Sequence, residues 1–350
     1  MIANIAGFGS SFPPAIDQQQ AWDGFFSSHF TKTRIASRVW RSAGVDRRHC
    51  AVDPRLEDLS LATTAERMQR FLELAVPLTC EAVTRALASA GLVPTDVDQF
   101  TVVSCTGYST PGVDILVARE LGMKPDVERL NVGHMGCYAA LPALASVTNA
   151  AIARGQIGML ACVELTSLHV QPATDDVEQI VAHALFSDAA AAVAIVPGGG
   201  GIEVVDLIAR TDTDTADLMT WQITDQGFRM RLSSKVPGVL DRHVLSLTQE
   251  LLGRHGLTTD DIAHWAIHPG GPRIIDTVAR RLGLDDDAVA DSRETLRTHG
   301  NCSSATTLLV LERMSASGRL QADDHIVAMA FGPGLTLYAA LLRVRPTTTP

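Results

Sequence analysis

The chain has 350 residues, 46% apolar and 19% charged, and its 29 basic and 39 acidic side chains give a formal net charge of −10. That length supports two domains or one large α/β unit, each with a sizeable core. The acidic balance and an aromatic content of 5% exclude an extended nucleic-acid surface or an anionic-membrane surface.

The first residues, Met1-Ile2-Ala3-Asn4, show no basic stretch leading into an apolar core. No apolar run reaches the roughly 18 residues of a spanning helix, so neither a signal peptide nor membrane insertion is expected. Six cysteines (Cys50, Cys80, Cys105, Cys137, Cys162 and Cys302) are scattered without a C-x-x-C pair. That spacing fits neither a zinc site nor a compact disulfide framework. Reduced thiols and a cytoplasmic location are the expectation.

Residues 21–55 are locally basic, with Lys32, Arg34, Arg38, Arg41, Arg47 and Arg48. A helical pattern runs over 57–90, the segment 91–98 breaks it, and 99–105 reads as a buried strand. Pro111-Gly112 then opens a helix that closes at Ala118-Arg119-Glu120-Leu121-Gly122. Further on, Asn131-Val132-Gly133-His134-Met135-Gly136 leads to Cys137, where an Ala/Leu-rich helix is predicted to start and run to about Arg154. A thiol at a helix start meets orphan N–H groups and the positive end of the macrodipole, both of which favour the nucleophilic thiolate. The other reading of Cys137 is a buried small hydrophobe.

The segment 91–100 is written again at 256–265, with Gly91-Leu92-Val93-Pro94-Thr95-Asp96 answered by Gly256-Leu257-Thr258-Thr259-Asp260-Asp261. Each copy continues with a short strand, a Pro-Gly pair (Pro111-Gly112, Pro269-Gly270) and a helix ending in Leu-Gly (Leu121-Gly122, Leu282-Gly283). A second helix opens near Cys137 in one copy and near Asn301 in the other, and small-residue strands close each copy. An offset of about 160 residues is too long for a solenoid and predicts a duplicated domain of alternating strands and helices. The expected halves are 1–200, carrying the cysteine, and 201–350. The seam, Pro197-Gly198-Gly199-Gly200-Gly201, lacks a following Gly-Lys-Ser/Thr and is expected to be a flexible connection, not a phosphate loop.

In the second copy His268 ends the predicted strand and enters Pro269-Gly270-Gly271-Pro272, where α/β folds place ligand sites. A lone histidine also serves as a satisfied core residue. Asn301, in Thr298-His299-Gly300-Asn301-Cys302-Ser303-Ser304, reads either as a helix N-cap or as the counterpart of Cys137. A pseudo-twofold axis would bring the two helix starts, and so Cys137 and Asn301, to one pocket.

Gly136-Cys137-Tyr138-Ala139-Ala140, Ile267-His268-Pro269-Gly270-Gly271-Pro272-Arg273, Gly300-Asn301-Cys302-Ser303-Ser304-Ala305 and Phe331-Gly332-Pro333-Gly334-Leu335-Thr336 closely resemble the type III polyketide synthases of the chalcone and stilbene synthase superfamily. The resemblance implies the thiolase fold, an αβαβα sandwich of duplicated halves, working as a homodimer. Acyl-CoA and malonyl-CoA are the implied substrates, with no metal or redox cofactor.

On this resemblance Cys137 would carry the acyl group as a thioester, His268 would pair with its thiolate, and His268 with Asn301 would hold the enolate oxygen. Phe186 matches a gate phenylalanine, and Met230 replaces a second one, which points to aliphatic starters and a pyrone or resorcinol-type product. His169 falls where plant members often carry a small hydroxyl residue that sets chain length. Thr166, Ser303 and Gly334 lie in stretches that frame the pocket. Arg47 and Arg48 fall near the family's contacts to the phosphates of CoA. His134 and His299 are expected to be structural.

The nearest rival is a ketoacyl-acyl-carrier-protein synthase of the initiation kind. Those usually show His-Gln-Ala-Asn where this chain has His268-Pro269-Gly270-Gly271. A cysteine-dependent acyl-CoA thioesterase is the rival from another class, and a non-catalytic partner subunit is the third.

Overall fold

The computed structural model describes residues 2–346, so the outer ends of the two expected halves, residue 1 and residues 347–350, lie outside the described residues. β1 (Ala3–Ser11) opens the chain, and the short antiparallel pair β2 (Ala15–Asp17) and β3 (Arg47–His49) follows. β4 (Gln99–Ser104), β5 (Glu128–Gly133), β6 (Gly158–Glu164) and β7 (Ala189–Pro197) complete the first half. The second half holds β8 (Gly201–Thr211), a hairpin of β9 (Met219–Thr224) and β10 (Gly227–Leu232), β11 (His264–Ile267), β12 (His325–Gly332) and β13 (Thr336–Arg345).

The duplication is written into the pairing. β4 runs parallel to β6, β6 antiparallel to β7, and β7 antiparallel to β1. β11, β12, β13 and β8 repeat that pattern strand for strand. Only β5, parallel to β4 at the outer edge, stands outside the correspondence. The echoed segments fold alike: Pro94–Asp96 and Thr259–Asp261 are both single 3-10 turns. In each, an aspartate accepts from a backbone N–H three residues earlier, Val93 N to Asp96 at 2.9 Å and Thr258 N to Asp261 at 2.8 Å.

The two half-sheets touch along one edge, where β1 meets β8 through only Asn4↔Glu203 and Ile5↔Ile202. Between them lie the helices Ala140–Arg154 and Ala305–Ala316, each packed on strands of both halves. Thr64–Ala90 covers the outside of β1, β6 and β7, and Val236–Gly253 covers β8 and β13. The result is the expected five-layer αβαβα stack.

Small residues make the stack possible. β7 reads Ala189-Ala190-Ala191-Ala192-Val193-Ala194, buried on both faces, so a helix approaches on either side. At Gly9 an added Cβ would lie 2.3 Å from the Ala82 carbonyl, so any side chain there would push the outer helix off the sheet. Leu141, Leu144 and Val147 of the inner helix are fully buried; burial of a side chain of that size contributes about 1.5–3 kcal/mol.

Two expectations shift. The helix predicted over 57–90 starts at Thr64, because Thr63 and Glu66 form a capping box there, with Thr63 N donating to Glu66 at 2.7 Å. The glycine seam is not a loose linker. It is a tight β7–β8 connection whose Gly198 and Gly199 carbonyls accept from the buried Asn4 amide at 2.6 and 3.1 Å.

Candidate active site

Cys137 sits in the turn between β5 and the inner helix, ahead of that helix's first residue, Ala140. Gly136 has φ +84°, and a Cβ on it would lie 2.5 Å from Pro333, so the Phe331–Gly334 loop closes directly on the cysteine turn. The thiol is buried, with the Ser303 hydroxyl 3.6 Å from Sγ. Burial pushes it up to about 12, against a smaller downward pull from Ser303. The expected thiolate preference from the helix start is therefore overridden. Nearby N–H groups are already turned back, Ala139 N to Gly136 O and Leu141 N to Tyr138 O, both at 3.0 Å.

His268 follows β11 and is held by its main chain, donating to Met329 O at 2.7 Å and accepting from Gly270 N at 2.9 Å. Its ring is buried, and neither nitrogen has a hydrogen-bond partner among the described residues. Orphaned buried ring nitrogens mark a place prepared for a ligand's polar atoms. Burial pulls the imidazole down to about 3, so thiol and imidazole both rest neutral. Charging either alone is opposed by desolvation. A proton moved from Sγ to His268 would leave the pocket with no net charge.

Asn301 is fixed on both sides. Its N–H donates to Leu185 O and its carbonyl accepts from Ser187 N, each at 2.9 Å. Oδ1 accepts from Ser303 N at 2.9 Å and Thr306 Oγ1 at 3.4 Å. The amide NH2 is thereby turned toward the His268 side, with Gly270 O at 3.4 Å. Asn301 is thus not the cap of the following helix, which begins at Ala305 after Ser304.

Cys137, His268 and Asn301 line one cavity of about 500 Å3, which also takes in Phe186, Met230 and Phe331. Outward the walls are largely apolar, among them Val39, Val181, Leu185, Leu232 and Pro237. Phe186 leaves the helix Val177–Leu185 and bridges Asn301 through the backbone. Met230 reaches the cavity from β10.

Other expected pocket residues stand elsewhere. His169 is buried behind the hairpin, donating from Nε2 to Thr106 O at 2.7 Å and accepting from Phe228 N at 3.0 Å, with its ring stacked on Phe228. Both ring nitrogens are spent, and His169 does not line the cavity. Thr166 Oγ1 is tied to Asp188 at 2.9 Å, outside the cavity. Gly334 belongs to the closing loop, but only Phe331 of that loop lines the cavity.

Arg48 is likewise corrected: it is buried, and its guanidinium donates to Gln18 and to the carbonyls of His183, Ala184 and Phe186, so it cannot meet an external phosphate. Arg47 is exposed on β3 and does not line the cavity. The cavity reaches Arg273 instead. Arg273, Arg38, Arg41 and Lys235 are exposed, and no carboxylate partner is found for them among the described residues.

Sequence reasoning missed a buried relay beside the nucleophile. Ser303 has φ +49°, which sets its hydroxyl 3.6 Å from Cys137 Sγ and 3.2 Å from Cys105 Sγ. Cys105 in turn contacts Glu164, which accepts from Ser304 Oγ at 2.5 Å, Thr106 Oγ1 at 2.8 Å and Cys105 N at 3.0 Å. Burial raises the Glu164 carboxyl. A single acid at the end of the otherwise apolar strand Gly158–Glu164 was the available signal.

The family pattern described as "Chalcone and stilbene synthases, N-terminal domain" matches residues 3–199, and the corresponding C-terminal domain matches residues 207–346. The alpha-pyrone synthesis polyketide synthase-like Pks18 of Mycobacterium tuberculosis is 33% identical, the match covering 98% of this chain and 91% of the relative. A 1,3,6,8-tetrahydroxynaphthalene synthase of Streptomyces peucetius subsp. caesius is 34% identical over 88% of this chain and 83% of that one. Among solved structures, the 1,3,6,8-tetrahydroxynaphthalene synthase of Streptomyces coelicolor superposes with a TM-score of 0.91 at 26% identity, covering 98% of this chain and 99% of that one.

Fold and site define an acyltransferase of the thiolase fold that performs decarboxylating condensation. The chain belongs to the chalcone and stilbene synthase family, the type III polyketide synthases. Among the described residues no helix is long and apolar enough to cross a membrane.

Proposed function

We propose that this chain loads an aliphatic acyl group from acyl-CoA onto Cys137, extends it with malonyl-CoA, and releases a pyrone or resorcinol-type ring. One observation carries the reading: a thiol, an imidazole without partners and an oriented amide share a single, largely apolar cavity. In loading, His268 takes the Sγ proton, the sulfur attacks the thioester carbonyl, and the CoA thiolate leaves with that proton. In extension, malonyl-CoA loses carbon dioxide, and the electron pair left behind is held as an enolate by His268 and the Asn301 NH2. Its α-carbon attacks the Cys137 thioester, forming a C–C bond and freeing the cysteine sulfur.

The exposed cations Arg38, Arg41, Lys235 and Arg273 are the groups best placed to meet the CoA phosphates, in place of Arg47 and Arg48. The halves 1–200 and 201–350 divide the work, one supplying the nucleophile and the other the imidazole and the amide. The aliphatic preference rests on Met230, a flexible side chain at the cavity wall, and the relative named for alpha-pyrone synthesis supports the product class.

Product masses from malonyl-CoA with a ladder of straight-chain acyl-CoAs and with coumaroyl-CoA test this. Straight chains should give the larger yields, and Met230→Phe should shorten the accepted range. A wild-type preference for coumaroyl-CoA, or an unchanged range in Met230→Phe, would remove the starter assignment.

A second copy of the chain is the proposed partner. β5 is an exposed edge strand with Leu130 outward, and Ile115 and Ile152 are exposed on the two helices packed beside its neighbour β4. An unpaired strand edge flanked by exposed apolar side chains invites antiparallel extension by an identical strand. Light scattering should return about twice the 37.4 kDa of one chain; a monomer would count against this.

A further inference from the structure

We propose that Arg48 is a positioning residue for the decarboxylation step, acting through the segment 183–187 on Asn301. This rests on the role just given to Asn301. The helix Val177–Leu185 ends beside the active site, and its last carbonyls lack intrahelical partners. Arg48 supplies them from inside the protein: Nη1 donates to His183 O at 2.6 Å and Phe186 O at 3.1 Å, and Nη2 to Ala184 O at 2.6 Å.

From the other side Asn301 takes the groups that Arg48 leaves. Leu185 O accepts from Asn301 N, and Ser187 N donates to Asn301 O, both at 2.9 Å. Residues 183–187 are therefore gripped alternately by a guanidinium and by the main chain of Asn301. The second grip sets where the Asn301 amide stands over the cavity, and the first fixes the segment it is measured from. Phe186, held by Arg48 at its carbonyl, lines the same cavity.

Arg48 is held in turn. Nε donates to Gln18 Oε1 at 2.8 Å, Gln18 Nε2 donates to Ala184 O at 3.1 Å, and the guanidinium lies 4.8 Å from the Trp40 ring centroid. It forms no ion pair among the described residues; the carboxylate of Asp188 is occupied by Ala51 N, Ser167 and Thr166. A buried guanidinium is costly, and what offsets it here is a set of carbonyl dipoles at the negative end of a helix. A lysine ammonium would keep the charge but could not span three carbonyls as a planar fork does.

The experiment separates two partial reactions of full-length protein: single-turnover acylation of Cys137, read by intact mass, and starter-independent carbon dioxide release from malonyl-CoA. Arg48→Lys should lower decarboxylation at least about tenfold and change acylation less than about twofold. In the Asn301→Ala background the same change should add almost nothing, because both act through one amide. An equal fall in both partial reactions, or a full further fall in the double variant, would overturn the inference.

If Arg48→Lys does not fold, Gln18→Ala decides the question, since it removes the acceptor of Arg48 Nε; a split in the same direction supports the proposal and no split overturns it. A wild-type protein that neither acylates nor decarboxylates would instead overturn the proposed function, so the two failures are distinguishable.

Discussion

Cys137→Ala is expected to abolish the acyl-enzyme: intact mass after acyl-CoA treatment should show one added acyl group on the wild type and none on the variant. The cavity presents no other thiol, since Cys105 lies behind Ser303 and does not line it. The same thiol gives a pH test whose sign follows from its surroundings. Burial, only partly offset by Ser303, pushes Cys137 up to about 12, so without a base its thiolate fraction keeps rising with pH throughout the neutral and mildly alkaline range. Iodoacetamide labelling of His268→Ala should therefore climb about tenfold per pH unit between about pH 7 and 9. In the wild type, where His268 accepts the proton, the rate should be nearly flat. An adduct persisting in Cys137→Ala, or a flat profile in His268→Ala, would sink the assignment.

Removing the Asn301 donor should be nearly as damaging to the other half of the cycle. Loss of one preorganised donor to an oxyanion costs about 100- to 1000-fold in turnover, or about 2.7–4 kcal/mol. Asn301→Ala is expected to slow malonyl-CoA decarboxylation by that factor. It also deletes Oδ1, which holds Ser303 N, so Asn301→Asp is the cleaner comparison. The aspartate keeps the acceptor, lacks the NH2 and opposes the enolate with like charge, and its loss should be at least as large. Decarboxylation near the wild-type rate in either variant would show that the amide does not serve the enolate.

Much of the architecture was legible because it was written twice. The echo of 91–100 in 256–265 announced a duplication, and the same turn, strand and helix recur in both halves of the structure. The cavity trio was legible for a related reason: Cys137 and Asn301 precede equivalent inner helices, and His268 ends a strand at a Gly-Pro turn.

What stayed hidden depends on contacts remote in sequence. In β3, Arg47 and Arg48 are neighbours, and strand alternation sends one out and the other in. Nothing local says which, because the carbonyls that Arg48 meets lie more than a hundred residues away. His169 misled in the same way. It was expected in the pocket, yet Thr106 O and Phe228 N hold its ring away from the cavity lining. The Glu164–Cys105–Ser303 relay joins three separate segments, and only Glu164 left a local trace, as an acid closing an apolar strand.

The slender join between the half-sheets has a consequence in time. β1 is made well before its partners β7 and β8, and the carbonyls that hold Asn4 lie 194 and 195 residues downstream. Until the glycine seam has been made, β1 has no strand to pair with in the central sheet, although the helix Thr64–Ala90 can already lie on its face. Its free edges wait while the next 194 residues are made, a delay that favours slow, non-local closure over early local nucleation. The residues of β1 are thus paired late, and when they are, they fasten the first half shut and attach it to the second in one event.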